Sequence, residues 1–209
     1  MLDSKGFNLW ADGYDESVHL SEEDDEYPFA GYKKVLGEIY RRVMEHGGGD
    51  VLDIGFGTGV LTSRLYAAGC RVAGVDFSEK MITHAKAKMP EALLAQCDFS
   101  KGLPEEITRR RFDSIISTYA FHHLRDGAKP DFLRRLSTLL KPGGEILIGD
   151  VSFETRRELE ACREKYREIW DSDEEYFIAE ELQKTLGEGI ACVYRTMSHC
   201  AGILCARVK

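Results

Sequence analysis

Gly55, Gly57 and Gly59 close the stretch Val51-Leu52-Asp53-Ile54-Gly55-Phe56-Gly57-Thr58-Gly59, an apolar run that ends in a tight turn. Glycines there let the backbone take positive φ and come close to a ligand. The unpaired N–H groups of a following helix face the same space. A dinucleotide pyrophosphate calls for G-x-G-x-x-G, whose last glycine would stand where this chain has Val60. G-x-G-x-G with Asp53 ahead of it repels a pyrophosphate and suits a ligand that carries a cationic amine. Asp76 ends the next apolar run, and an acid at such a strand end bonds ribose hydroxyls. Asp76 alone could equally cap the next helix. Asp98-Phe99 ends a third run, and Ser117-Thr118-Tyr119-Ala120-Phe121-His122-His123-Leu124 ends a fourth. Paired histidines can take or hold a proton, or one of them can simply bond a nearby backbone.

These residues need a scaffold that presents strand ends together. Val35, Leu36, Ile39, Tyr40 and Val43 have helical spacing, and Gly47-Gly48-Gly49 ends that helix. A helix is expected from about Thr58 to Ala68. Residues 71–76 read as strand two. Ser78 is an N-cap for a helix through Lys88, which Pro90 stops. Strand three is expected at 92–97 and strand four at 112–118. A helix over 131–140 and a turn at 141–144 lead to strand five at 145–151. Alternation of this kind means right-handed βαβ units and a parallel sheet covered on both faces. Helices are expected at 155–170 and 179–186, then a hairpin of strands 190–197 and 201–208 around Ser198-His199-Cys200. Residues 1–30 show no period. They hold an aromatic group (Phe7, Trp10, Tyr14) and the acidic run Glu22-Glu23-Asp24-Asp25-Glu26.

The glycine turn, Asp76, Asp98-Phe99, Ala-Phe-His-His-Leu at 120–124 and Lys141-Pro142-Gly143-Gly144 occur in one order over residues 47–151. In this they resemble the class I S-adenosylmethionine-dependent methyltransferases. With Trp10-Ala11-Asp12-Gly13-Tyr14-Asp15, the chain is most similar to short, stand-alone bacterial methyltransferases of small molecules. The resemblance implies a Rossmann-like α/β fold, doubly wound, with seven mostly parallel strands in the order 3-2-1-4-5-7-6 and a terminal antiparallel hairpin. It implies one domain over 1–209, with 1–30 as a lid and 152–188 as helices near the substrate. S-adenosylmethionine is the implied cofactor. Asp53, Gly55, Phe56, Gly57, Thr58, Gly59, Asp76, Phe77, Met81, Asp98, Phe99 and Ser117 are the expected cofactor residues. Phe77 and Met81 would hold the adenine ring, Asp98 would accept from its amino group, and Phe99 would pack on it. His122 is the first candidate base and His123 the second, with Tyr119 and Tyr14 steering the acceptor.

Composition narrows the partners. The 209 residues suit one α/β domain, and a net charge of −8 argues against a broad phosphate-binding face, so no nucleic acid is expected. No apolar run spans a bilayer and no secretory signal core is present, which reads as cytoplasmic. Six cysteines without C-x-x-C spacing read as buried thiols. No acidic set follows strand four, so no metal is expected. An Asn-Pro-Pro-Tyr signature and any large insertion are absent, which points to a small-molecule acceptor, handled by a monomer or homodimer. A non-catalytic binder of the same ligands is the alternative.

Overall fold

The computed structural model describes residues 26–209. Tyr14, the aromatic group before it and acidic residues 22–25 lie outside the described residues. Helix α1 (Tyr32–Glu45) buries Val35, Leu36, Ile39 and Val43, the residues whose spacing gives it one apolar face. There follow β1 (Asp50–Ile54), α2 (Val60–Ala67), β2 (Arg71–Asp76), α3 (Glu79–Lys88), β3 (Leu93–Gln96), α4 (Glu105–Thr108) and β4 (Phe112–Thr118). The chain continues through α5 (Lys129–Ser137), β5 (Leu140–Phe153), α6 (Arg156–Lys165), β6 (Phe177–Ile178), α7 (Ala179–Leu186), β7 (Ile190–Thr196) and β8 (Ala201–Val208).

The sheet runs β3-β2-β1-β4-β5-β8-β7, with β6 paired to the end of β5. Pairs up to β4–β5 are parallel, while β8 runs antiparallel to both β5 and β7. Side chains on a strand alternate between faces, so each central strand feeds two cores. Val51, Ile116 and Leu147 pack on one side with Val35, Ile39, Leu61, Leu65 and Ile82 from α1, α2 and α3. Leu52, Ile115, Ile146 and Ile148 pack on the other with Phe132, Leu136 and Leu182 from α5 and α7. Gly149 admits α1 closely: a Cβ there would stand 2.4 Å from Val35 Cγ1.

The expected strand order holds, with one renumbering. An eighth strand, β6, intervenes, so the hairpin strands become β7 and β8. Two paired residues have no measurable period, so the sequence could not announce β6. Strand five is longer than expected because Leu140 already lies opposite Phe112, and the 141–144 turn is taken up as a register shift before Ser114 meets Glu145. Helix α6 is shorter than 155–170. Thr155 starts it with a capping box to Glu158, and Tyr166 ends it. Tyr27 and Ala30, within the 1–30 segment expected as a lid, are buried.

Candidate active site

A cavity of about 380 Å³ opens at the carboxyl ends of β1, β2 and β4. Ligands of doubly wound sheets bind at that edge. One half of its wall is the glycine turn. Gly55 sits at φ 73° against β4, where a Cβ would stand 2.4 Å from Ala120 Cβ. Gly57, at φ 55°, has open space where a Cβ would stand. Its N–H donates to Asp76 Oδ2 at 2.8 Å, while Asp76 Oδ1 accepts from the Ser78 N–H at 2.9 Å. Burial raises the Asp76 pKa against those bonds. Ser78 caps α3, its hydroxyl accepting from Met81 N–H. Phe77, Met81, Asp98 and Phe99 complete this half. Asp98 accepts from the Ser100 N–H at 3.1 Å and pairs with Lys101 at 2.9 Å.

The other half is aromatic and charged. Tyr119 follows β4 with φ 49°, a conformation costly for a residue with a side chain. Its ring lies 5.0 Å from that of Tyr32 and 5.5 Å from that of Phe29. Tyr27 stacks on Trp170 at 5.1 Å, and its hydroxyl shares a 2.5 Å bond with Tyr176. Between these walls lies a polar cluster. His122 is buried, with Nδ1 2.6 Å from Asp150 Oδ1 and Nε2 3.3 Å from Glu174 Oε1. Burial alone would lower its pKa, but the Asp150 and Glu174 carboxylates prevail and raise it to about 10. Burial raises and His122 lowers the Glu174 pKa, the latter dominating at about 2. His123 falls to about 3 through burial and the neighbouring His122 charge.

The cavity gathers Gly55, Phe56, Gly57, Thr58, Asp76, Phe77, Met81, Asp98, Phe99, Tyr119, His122 and His123 from the residues singled out in the sequence. Asp53, Gly59 and Ser117 stand outside its lining. Asp53 is buried behind the turn, where it accepts from the Thr62 hydroxyl at 2.5 Å, and its Oδ1 has no partner. Burial, opposed by that bond and aided by the Asp76 charge, raises its pKa to about 7. Gly59 begins α2 against Met89 and Ala85. The Ser117 hydroxyl donates to Ile54 O at 2.8 Å, and Thr118 reaches the wall instead. Both ring nitrogens of His122, the first candidate base, face carboxylates. Helices α6 and α7 do not line the cavity. The segment between α6 and β6 does, through Ile169, Asp171, Glu174 and Tyr176. The sequence placed 1–30 and 152–188 near the site but did not single out those residues, or Tyr27 and Phe29, as its lining. Their only signal was an acidic run broken by aromatics.

A mainly parallel sheet in this order, closed by an antiparallel hairpin, with a glycine turn facing a cavity, is the Rossmann-like methyltransferase fold. Residues 51–144 match the family model of the methyltransferase domain. An uncharacterized methyltransferase of Anoxybacillus flavithermus is 38% identical over 181 residues, 85% of this chain and 79% of that one. One from Bacillus cereus is 32% identical over 203 residues, 92% of each chain. The crystal structure of magnesium protoporphyrin IX methyltransferase from Synechocystis with bound S-adenosylhomocysteine superposes with a TM-score of 0.72 at 18% identity, covering 97% of this chain and 98% of that one. The chain belongs to the class I S-adenosylmethionine-dependent methyltransferases, and it is an enzyme of that family.

Proposed function

We propose that this enzyme methylates a small, neutral or cationic molecule that binds in the aromatic half of the cavity. One observation carries the reading: a single cavity joins the glycine turn to a wall of Phe29, Tyr32, Tyr119 and Tyr176, with Asp171 and Glu174 beside them. The aromatic rings suit a planar or apolar body, and the carboxylates disfavour an anion.

The other half fits S-adenosylmethionine. Open space at Gly57 leaves room for a ligand against the backbone, and the unpartnered, buried Asp53 Oδ1 lies behind that turn, where a bound cationic amine would favour its ionised form. Asp76 keeps a lone pair for a ribose hydroxyl beyond the bonds it accepts from the Gly57, Phe77 and Ser78 backbone. Phe77, Met81 and Phe99 would flank the adenine, with Asp98 at its amino edge. When bound, the cofactor supplies an electrophilic methyl on a sulfonium. The chain contributes alignment and exclusion of water, which suffice for a sulfur or amine acceptor. Neither histidine is a strong free base here. His122 is held between carboxylates, and His123 is a weak base at a pKa of about 3. We read the residues before Tyr27 as a lid, since Tyr27 itself belongs to the cavity wall.

A metabolite screen with methyl-labelled cofactor, read by mass spectrometry, tests the reading. Labelled product from an amine, thiol or hydroxyl compound is expected. Binding of S-adenosylhomocysteine without methyl transfer to any pool, or transfer only to a polymer, would overturn it.

A further inference from the structure

We propose that His122, His123 and Glu174 bind a divalent transition-metal ion of the zinc class, open on one side to the cavity. Their donor atoms lie within 4.8 Å of one another. Neighbouring ligands around a tetrahedral zinc, at about 2.0–2.2 Å from the ion, stand roughly 3.3–3.6 Å apart. His122 Nε2 and Glu174 Oε1 are 3.3 Å apart already. The remaining separations, at most 4.8 Å, have to close by up to about 1.5 Å, at the partly buried His123.

The outer sides of two donors are committed elsewhere, which aims their inner atoms at one point. His122 Nδ1 faces Asp150 Oδ1 at 2.6 Å, and Glu174 Oε2 accepts from the Tyr176 hydroxyl at 2.6 Å. A carboxylate behind a histidine, with the far ring nitrogen turned to the ion, is how metal-binding imidazoles are oriented. The backbone fixes the pairing too, since Glu175 N–H donates to His122 O at 3.1 Å. An ion pair of His122 with Glu174 needs no third donor, yet His123 brings its ring edge-on to His122 at 4.2 Å. Asp150 and Glu174 together match the charge of a divalent cation. Two imidazoles and one carboxylate select a transition metal over magnesium or calcium, which prefer oxygen.

The consequence rests on the methyl-transfer reading. The open position would take the oxygen or sulfur of the acceptor. On forming that bond the acceptor loses its proton to solvent, as metal-bound water does. That would supply the lone pair which neither histidine is placed to free.

The test uses the full chain stripped with chelator and titrated with Co2+. One equivalent is expected, with ligand-field bands of nitrogen and oxygen donors and no thiolate charge-transfer band, which excludes the six cysteines. His123→Ala and Glu174→Gln should each weaken Co2+ binding more than about tenfold, at least the loss seen when an outer partner is removed. Both variants should still bind S-adenosylhomocysteine, which certifies their folding apart from the metal. X-ray absorption of the Zn2+-loaded native chain gives a readout that needs no variant: imidazole scattering without a sulfur shell is expected. Absence of a Co2+ spectrum, a thiolate band, a sulfur shell or unchanged affinity in both folded variants would overturn the site. Failure of cofactor binding in the native chain would instead sink the methyl-transfer reading.

Discussion

Asp150 holds His122 twice, accepting from its backbone N–H through Oδ2 at 3.0 Å and facing its ring Nδ1 through Oδ1 at 2.6 Å. Both residues are buried, so one carboxylate fixes the turn after β4 and the orientation of its imidazole together. Asp150→Asn keeps the shape and removes the charge. Urea unfolding should show a loss of about 3–5 kcal/mol, the scale for breaking one side of a buried pair. An unchanged midpoint would mean that the pair contributes nothing to the fold.

Asp53 gives a pH dependence of opposite sense to the usual carboxylate. Its folded pKa of about 7 lies above the ordinary 3.8. Between those values the folded chain binds more protons than the unfolded one, so this residue's contribution falls as pH rises from about 4 to about 7. Asp53→Asn can keep a bond to Thr62 while removing the titration. Its melting curve should vary less over that range, and at pH 7.5 it should be the more stable protein by up to about 4 kcal/mol. Parallel curves for the two proteins would refute the assignment.

Gly57 tests the cofactor half. Gly57→Val places a branched side chain in the open space at a φ of 55°, so calorimetry should detect no S-adenosylhomocysteine binding. Asp76→Asn should bind it about 10–100-fold more weakly, the range for lost hydrogen bonds to a charged group. Native affinity in the Asp76 variant would reduce that residue to a brace for Gly57 and Ser78.

Lys129 is a buried cation whose ammonium donates to Leu124 O at 2.5 Å, Asp126 Oδ1 at 2.7 Å and Glu175 O at 2.7 Å. It uses all three donors to rivet the segment carrying Glu174 onto the turn after His123. Lys129→Met leaves two carbonyls without this partner and should cost about 2–4 kcal/mol. Hydrogen exchange should speed up at 173–176 while β1 to β4 stay protected. Uniform exchange across the chain would show that the rivet is not local.

Removal of residues 1–25 tests the lid. Tyr27 keeps its stacking on Trp170 and its bond to Tyr176, so the truncated chain should melt within a few degrees of the full one. Cofactor binding should weaken and methyl transfer should nearly cease. Full activity in the truncated chain would reject the lid.

The cofactor half was legible because it is local. Turn, Asp76 and Asp98-Phe99 fall within one run of strand–helix units, where period and spacing place the ends of β1 and β2 and come within one residue of the end of β3. The aromatic half was not. Only Tyr119 was found there; Tyr27 and Tyr176 meet after the sheet is wound, and nothing in their spacing records it. Asp150 stands 28 residues from His122, so the histidine could be found while its committed nitrogens could not. Ser117 was misplaced by one residue of strand alternation, which turns its hydroxyl toward Ile54 and leaves Thr118 at the wall.

The segment between α6 and β6 is held by Glu174 and Glu175 on His122, by Glu175 on Asp126 and Lys129, by Trp170 and Tyr176 on Tyr27, and by Tyr166 on His199. None of those anchors touches the glycine turn. On the proposed reading, residues 166–176 are a cassette: transplanted whole between relatives, they would redirect the choice of acceptor while the residues around the glycine turn are inherited unaltered.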